Sequence, residues 1–146
     1  MAIVRQFTER KFWVAASVVT VLFAGYVGSV ISDEVKVTLS GAQEIPPVTT
    51  PASGTGTFTV GADKSVSGSV TIAGMSATVA HIHEAAAGAT GSIIVPLSKI
   101  SDNLWAVPGG AKLTDAQYAS YKAGNLYCNV HSAAYKSGEI RGQIKP

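Results

Sequence analysis

The sequence predicts a mainly β domain, an antiparallel β-sandwich with one short helix, preceded by a single membrane-spanning helix. Three observations carry this expectation. Apolar and polar residues alternate with period two from Val35 onward. Clusters of Gly, Pro, Asn and Ser interrupt that alternation repeatedly. An uncharged apolar run, residues 12–31, stands ahead of it all.

The N-terminal segment reads as an anchor. Arg5, Arg10 and Lys11 precede the run F-W-V-A-A-S-V-V-T-V-L-F-A-G-Y-V-G-S-V-I, and Asp33 and Glu34 follow it. A helix of that length, at about 1.5 Å per residue, spans roughly 30 Å, the thickness of a bilayer core. Trp13 and Tyr26 fall near its two ends, where amphipathic rings prefer to sit. The charge asymmetry places residues 1–11 in the cytoplasm and the rest on the periplasmic or extracellular side. The competing reading is a cleaved signal peptide ending near Val30-Ile31-Ser32. The run is longer than a usual signal core and lacks an A-x-A site, which favours an uncleaved anchor. The mean hydropathy of +0.27 fits a membrane segment raising the average of a soluble domain. Residues 32–36 are then a linker and 37–146 the folded domain.

Within that domain V-K-V-T-L, T-F-T-V, S-V-S-G-S-V-T-I and the more buried S-I-I-V-P-L read as strands. The turn clusters are P-P-V-T-T-P-A-S-G-T-G, G-A-D-K-S and V-P-G-G. Short strands with frequent turns indicate a sandwich or a barrel. L-T-D-A-Q-Y-A-S-Y-K-A-G breaks the pattern. Thr114 is its expected N-cap, Gln117 completes a capping box, and Gly124 is the stop. Two to three helical turns follow from that, with Tyr118 and Tyr121 as packing residues.

Composition excludes several classes. A net charge of +2 in 146 residues, without basic stretches interleaved with aromatics, gives no footprint for nucleic acid. One cysteine, Cys128, rules out an internal disulfide. No G-x-S-x-G is present to place a nucleophile. Gly54 and Gly56 are turn glycines, because no helix pattern follows to form a phosphate cradle. Glu44 belongs to a loop, and Glu139 and Arg141 are expected to form an ion pair or hydrogen bonds at a strand end.

The chemistry rests on the histidines. His81 and His83 sit two apart in A-H-I-H-E, and the remaining one, His131, is in L-Y-C-N-V-H-S. Residues i and i+2 of a strand share a face. His81 and His83 therefore project together, as do Tyr127, Asn129 and His131, with Cys128 on the opposite side. Glu139, Arg141 and Gln143 likewise share a face. If the two histidine strands are neighbours, three imidazoles converge, and three such donors suit copper or zinc. Water, Glu139, Tyr127 or Met75 would supply a fourth ligand or an outer partner. The alternative is three hydrogen-bonding residues on a solvated sheet face.

Several stretches together resemble one family. They are L-S-G-A-Q-E-I-P-P-V, A-H-I-H-E-A-A-A-G-A-T-G-S-I-I-V-P-L, L-T-D-A-Q, A-G-N-L-Y-C-N-V-H-S and G-E-I-R-G-Q-I. Their order and spacing resemble the CHRD domain, named after chordin, over Val37 to Ile144. The resemblance implies an extracytoplasmic β-sandwich of Greek-key, superoxide-dismutase-like architecture. Glu84 stands where that family commonly has glycine, and Cys128 where it has an apolar residue. H-I-H before a Gly-containing loop is also similar to the copper site of copper–zinc superoxide dismutases. Three histidines and one cysteine cannot build their two-metal site with its disulfide, so one mononuclear site is what remains.

Three functions follow as expectations. The first is a membrane-anchored binding or structural module holding one copper or zinc ion. The second is an accessory single-helix subunit of a larger membrane complex, respiratory or photosynthetic. The small residues Ala15 to Ser17 and Gly25 to Gly28 would allow close helix contact there. The third is a mononuclear copper redox enzyme. Binding ranks above catalysis, because no catalytic base or second site is evident.

Overall fold

The computed structural model describes residues 33–146. The expected cytoplasmic segment and membrane helix, residues 1–31, lie outside the described residues. Among the described residues no helix is long and apolar enough to cross a membrane.

The domain is antiparallel β throughout. In chain order the strands are β1 (Asp33–Ser40), β2 (Ser53–Val60), β3 (Val66–Ala73), β4 (Ala77–Glu84), β5 (Ser92–Pro96), β6 (Ser98–Ser101), β7 (Leu104–Ala106), β8 (Leu126–Ser132) and β9 (Ile140–Ile144). The helix α1 (Asp115–Lys122) lies between β7 and β8, and a short 3-10 turn, Gly41–Gln43, follows β1. β1 takes in most of the segment expected to be a linker, because Glu34 and Val35 already pair with Thr59 and Phe58.

All nine strands form one sheet in the order β5-β4-β8-β9-β1-β2-β3-β7-β6. Its two edge strands, β5 and β6, are consecutive in the chain and separated by Leu97 alone. One extended segment therefore pairs with β4 in its first half and with β7 in its second. Since both edges belong to one segment, the sheet must roll until they nearly meet. The two halves then face each other across one core, as the layers of a sandwich do, but the hydrogen bonding is that of a nearly closed barrel. β6 and β7 carry no alternation that a sequence reading could detect: every residue of β6 is exposed.

The inward positions of the strands fill a single core. Val35, Val37 and Leu39 of β1 meet Phe58, Val70, Ile82, Trp105, Leu126, Val130 and Ile140 there, all buried. Phe58 is 1 % exposed and its ring lies over Gly56, where an added Cβ would come within 2.9 Å of it. Cys128 is an inward residue of this core and is fully buried, which pushes its thiol up to about 12. It stays a protonated, inert packing group.

α1 forms as its sequence dictates. The Thr114 side chain accepts from the Gln117 amide, and the Gln117 side chain accepts from the Thr114 N–H at 2.9 Å. Gly124, at φ +74°, ends the helix. Tyr121 inserts into the core at 1 % exposure. Ser120 Oγ donates to Glu84 Oε1 at 2.6 Å, tying the helix to the end of β4.

Candidate metal centre

The site forms on the outer face of β4, β8 and β9. β4 and β8 are direct neighbours, with His81 opposite Asn129, His83 opposite Tyr127, and Val79 opposite His131. Alternation then places His81, His83, Tyr127, Asn129 and His131 on one face. Ile82, Cys128 and Val130 point the other way, into the core. β9 adds Arg141 opposite Asn129 and Gln143 opposite Tyr127.

This face is not solvated as an outer sheet face usually is. Asn129 is 3 % exposed, Arg141 2 %, and His83 and His131 8 % each. Loops fold over it and bond to it. Asn129 Nδ2 donates to Glu44 Oε1 and to the Ile140 carbonyl. Thr50 Oγ1 donates to Glu139 Oε1 at 2.6 Å. Arg141 donates to the carbonyls of Ala89 (2.7 Å) and Ala86 (3.3 Å). Burial pushes the Glu44 carboxyl up, opposed by the Asn129 donor and the Arg141 charge.

The three imidazoles converge. Their nearest ring nitrogens all lie within 4.8 Å of one another. His81 Nδ1 and His131 Nε2 are 3.2 Å apart. Two nitrogens bound to one zinc ion at about 2.0–2.1 Å in tetrahedral geometry stand about 3.3 Å apart, so this pair already has a ligand spacing.

Backbone acceptors fix two of the rings. His131 Nδ1 lies 3.0 Å from the Lys136 carbonyl and His83 Nδ1 lies 3.0 Å from the Gly91 carbonyl. A carbonyl only accepts, so both Nδ1 atoms carry the proton and both Nε2 atoms present a lone pair. His83 Nε2 is buried and has no hydrogen-bond partner. A buried, unpaired ring nitrogen is costly unless something occupies it. With His131 Nε2 unprotonated, His81 Nδ1 must donate across the 3.2 Å contact. That proton has to move to His81 Nε2 for both lone pairs to face one ion.

Electrostatics favour neutral rings. Burial lowers all three imidazoles below the ordinary value of 6.5, and His81, also repelled by His131 and His83, falls to about 4. Neutral imidazole is the ligating form, so protons do not compete for these nitrogens at neutral pH.

The other expected residues are placed differently. Tyr127 stacks on His83 with ring centroids 4.8 Å apart and planes 9° from parallel. Glu139 shares the face but is bonded to Thr50 and lies outside the ligand group, which among the described residues is the three histidines. Met75 packs against the hydrophobic core and lines a cleft with Lys99 and Asp102 beside β6. Glu139 and Arg141 form no ion pair. The Arg141 guanidinium sits 3.5 Å over the Tyr127 ring instead. Sequence reasoning missed the backbone acceptors Gly91 and Lys136, because a carbonyl has no residue-type signature. The burial of Glu44 was also missed, since it depends on a loop closing over the sheet.

Residues 35–144 match the CHRD domain. The chain belongs to the CHRD-domain family. No curated protein and no solved structure matches it. The histidine cluster is thus a feature of this CHRD domain's outer β4–β8 surface, with Arg141 of β9 behind it.

Proposed function

We propose that this CHRD domain is a binding module that holds one copper or zinc ion through His81, His83 and His131. The observation that carries the reading is the convergence of three imidazoles, two of them bonded through Nδ1 to backbone carbonyls so that Nε2 is the nitrogen with the lone pair. Carbonyl-oriented histidines are the usual outer arrangement of a metal centre. Nitrogen donors alone select borderline metals, and the affinity order favours copper where it is available. A structural, storage or transfer role fits the site better than turnover. Among the described residues no carboxylate joins the cluster, and Glu139 is occupied by Thr50.

The basic-then-apolar N-terminus supports a tether that holds the domain outside the cytoplasm. A single-pass membrane protein so arranged presents the centre to the periplasmic or extracellular space, where metal exchange with other proteins is feasible.

Elemental analysis of untagged full-length protein, purified in mild detergent, tests the reading. Wild type reconstituted with copper or zinc retains near one equivalent, and His81→Ala and His131→Ala retain little. Absence of retained metal in reconstituted wild type overturns it.

A further inference from the structure

The segment between β4 and β5, A-A-A-G-A-T-G at residues 85–91, has almost no side chains with which to hold its own shape. Its ties come from the sheet beneath. Arg141 donates to the carbonyls of Ala86 and Ala89, and Gln143 Nε2 donates to that of Ala85 at 2.9 Å. At the far end the Gly91 N–H donates to Tyr127 Oη at 3.2 Å. The same Gly91 offers its carbonyl to His83 Nδ1.

These contacts close a ring of interactions around His83. Tyr127 lies against the imidazole face to face. Its hydroxyl accepts from the N–H of Gly91, the residue whose carbonyl accepts from the imidazole Nδ1–H. Arg141 lies over the Tyr127 ring and clamps the rest of the loop. β4 supplies His83 on one side of Tyr127, and β9 supplies Arg141 on the other. Arg141 is 2 % exposed, and its donors go to carbonyls and to Gln143 Oε1 (3.3 Å). A buried guanidinium spent on backbone carbonyls serves to fix the loop. Gly91 must be glycine, since an added Cβ would stand 1.8 Å from the Glu84 carbonyl oxygen.

We propose that Tyr127, backed by Arg141, is the positioning residue of the histidine centre. It sets the His83 ring angle by stacking, and sets its tautomer by holding Gly91 in place. The proposal rests on the metal-binding reading for its consequence, but its geometry is testable without metal. The alternative role for Tyr127, a fourth ligand, is disfavoured by the near-parallel rings and by the hydroxyl being engaged with Gly91.

The decisive variant is Tyr127→Phe, which keeps the stacked ring and removes only the acceptor of the Gly91 N–H. Two readouts on full-length protein separate the outcomes. The first is the long-range proton–nitrogen NMR spectrum of the metal-free histidines. Wild type shows His83 as one Nδ1-protonated tautomer, and Tyr127→Phe shows a mixture. The second is the dissociation constant for Zn²⁺ by chelator competition. Tyr127→Phe and Gly91→Ala weaken it about 10- to 100-fold, the range for loss of an outer partner of a ligating histidine. Arg141→Lys, which keeps the charge but not the paired donors, gives a loss in the same direction. Should Gly91→Ala fail to fold, Tyr127→Phe alone decides. A wild-type His83 tautomer retained unchanged in Tyr127→Phe overturns the inference, as does unchanged Zn²⁺ affinity in that variant. Wild type that binds no Zn²⁺ overturns the metal reading, while the tautomer comparison still judges the positioning role.

Discussion

Two rows of residues cross the outer surface of this one sheet, and they differ in everything but geometry. On one side Thr38, Thr55 and Thr71 stand in register across β1, β2 and β3, and all three are exposed. On the other side His81, Asn129 and Arg141 stand in register across β4, β8 and β9. The first row is a solvated face of hydroxyls, the usual outer surface of an antiparallel sheet. The second is covered by loops, and its Asn129 and Arg141 are almost wholly buried. A polar row on a solvated face requires no partners beyond water. A polar row sealed under loops requires a partner for each group. The contrast locates the site without reference to any motif.

Substitutions in the two rows test whether they differ as described. The largest effect is expected at the histidines. His131→Ala removes one of the three proposed ligands and is expected to weaken metal binding by more than the roughly 10- to 100-fold that loss of an outer partner costs. Thr55→Ala leaves the affinity unchanged, as competition titrations with both proteins would show. Next comes the shared interior. Phe58→Ala opens a cavity in the single core and costs about 3–5 kcal/mol of unfolding free energy. Chemical denaturation measures that loss, and the metal spectrum of the folded fraction stays that of wild type.

The buried polar row follows. Asn129→Ala strips the buried Glu44 carboxylate of its amide donor and costs about 1–3 kcal/mol. The matched change Thr55→Ala, on the open row, stays within about 0.5 kcal/mol. Equal losses at the two positions would erase the distinction between the faces.

The smallest effect concerns protons. In the folded protein the three imidazoles bind protons less readily than in the unfolded chain, where they titrate near 6.5. The unfolded state therefore takes up protons first as pH falls. Stability of the metal-free protein is complete above about pH 6.5 and declines from there towards pH 4. Denaturation midpoints taken across that interval trace the decline, and His81→Gln flattens it.

Much of this was legible in the sequence, and the reason is periodicity. Alternation alone puts His81 with His83, and Tyr127 with Asn129 and His131, on common faces, because a strand offers no other choice. The capping box of Thr114 and Gln117 was equally local and appears as expected. Whether β4 and β8 are neighbours depends on chain topology, which no local pattern encodes. The rolled single sheet also escaped the sequence, since it follows from one segment, broken only at Leu97, serving as both edges. Of the two arrangements expected for Glu139 and Arg141, an ion pair or hydrogen bonds at a strand end, the fold takes the second. It offers the guanidinium a π-face and two loop carbonyls, leaving Glu139 to Thr50.

X-ray absorption at the metal edge of the loaded, full-length protein is the sharpest test of the three-histidine centre, because it counts ligands. The expected spectrum has a first shell containing three nitrogens at about 2.0–2.1 Å, with the outer-shell scattering of three imidazole rings. The spectrum of His83→Ala is expected to lack one ring. A first shell dominated by oxygen, or fewer than two imidazoles in wild type, would contradict the assignment of His81, His83 and His131 as a metal centre.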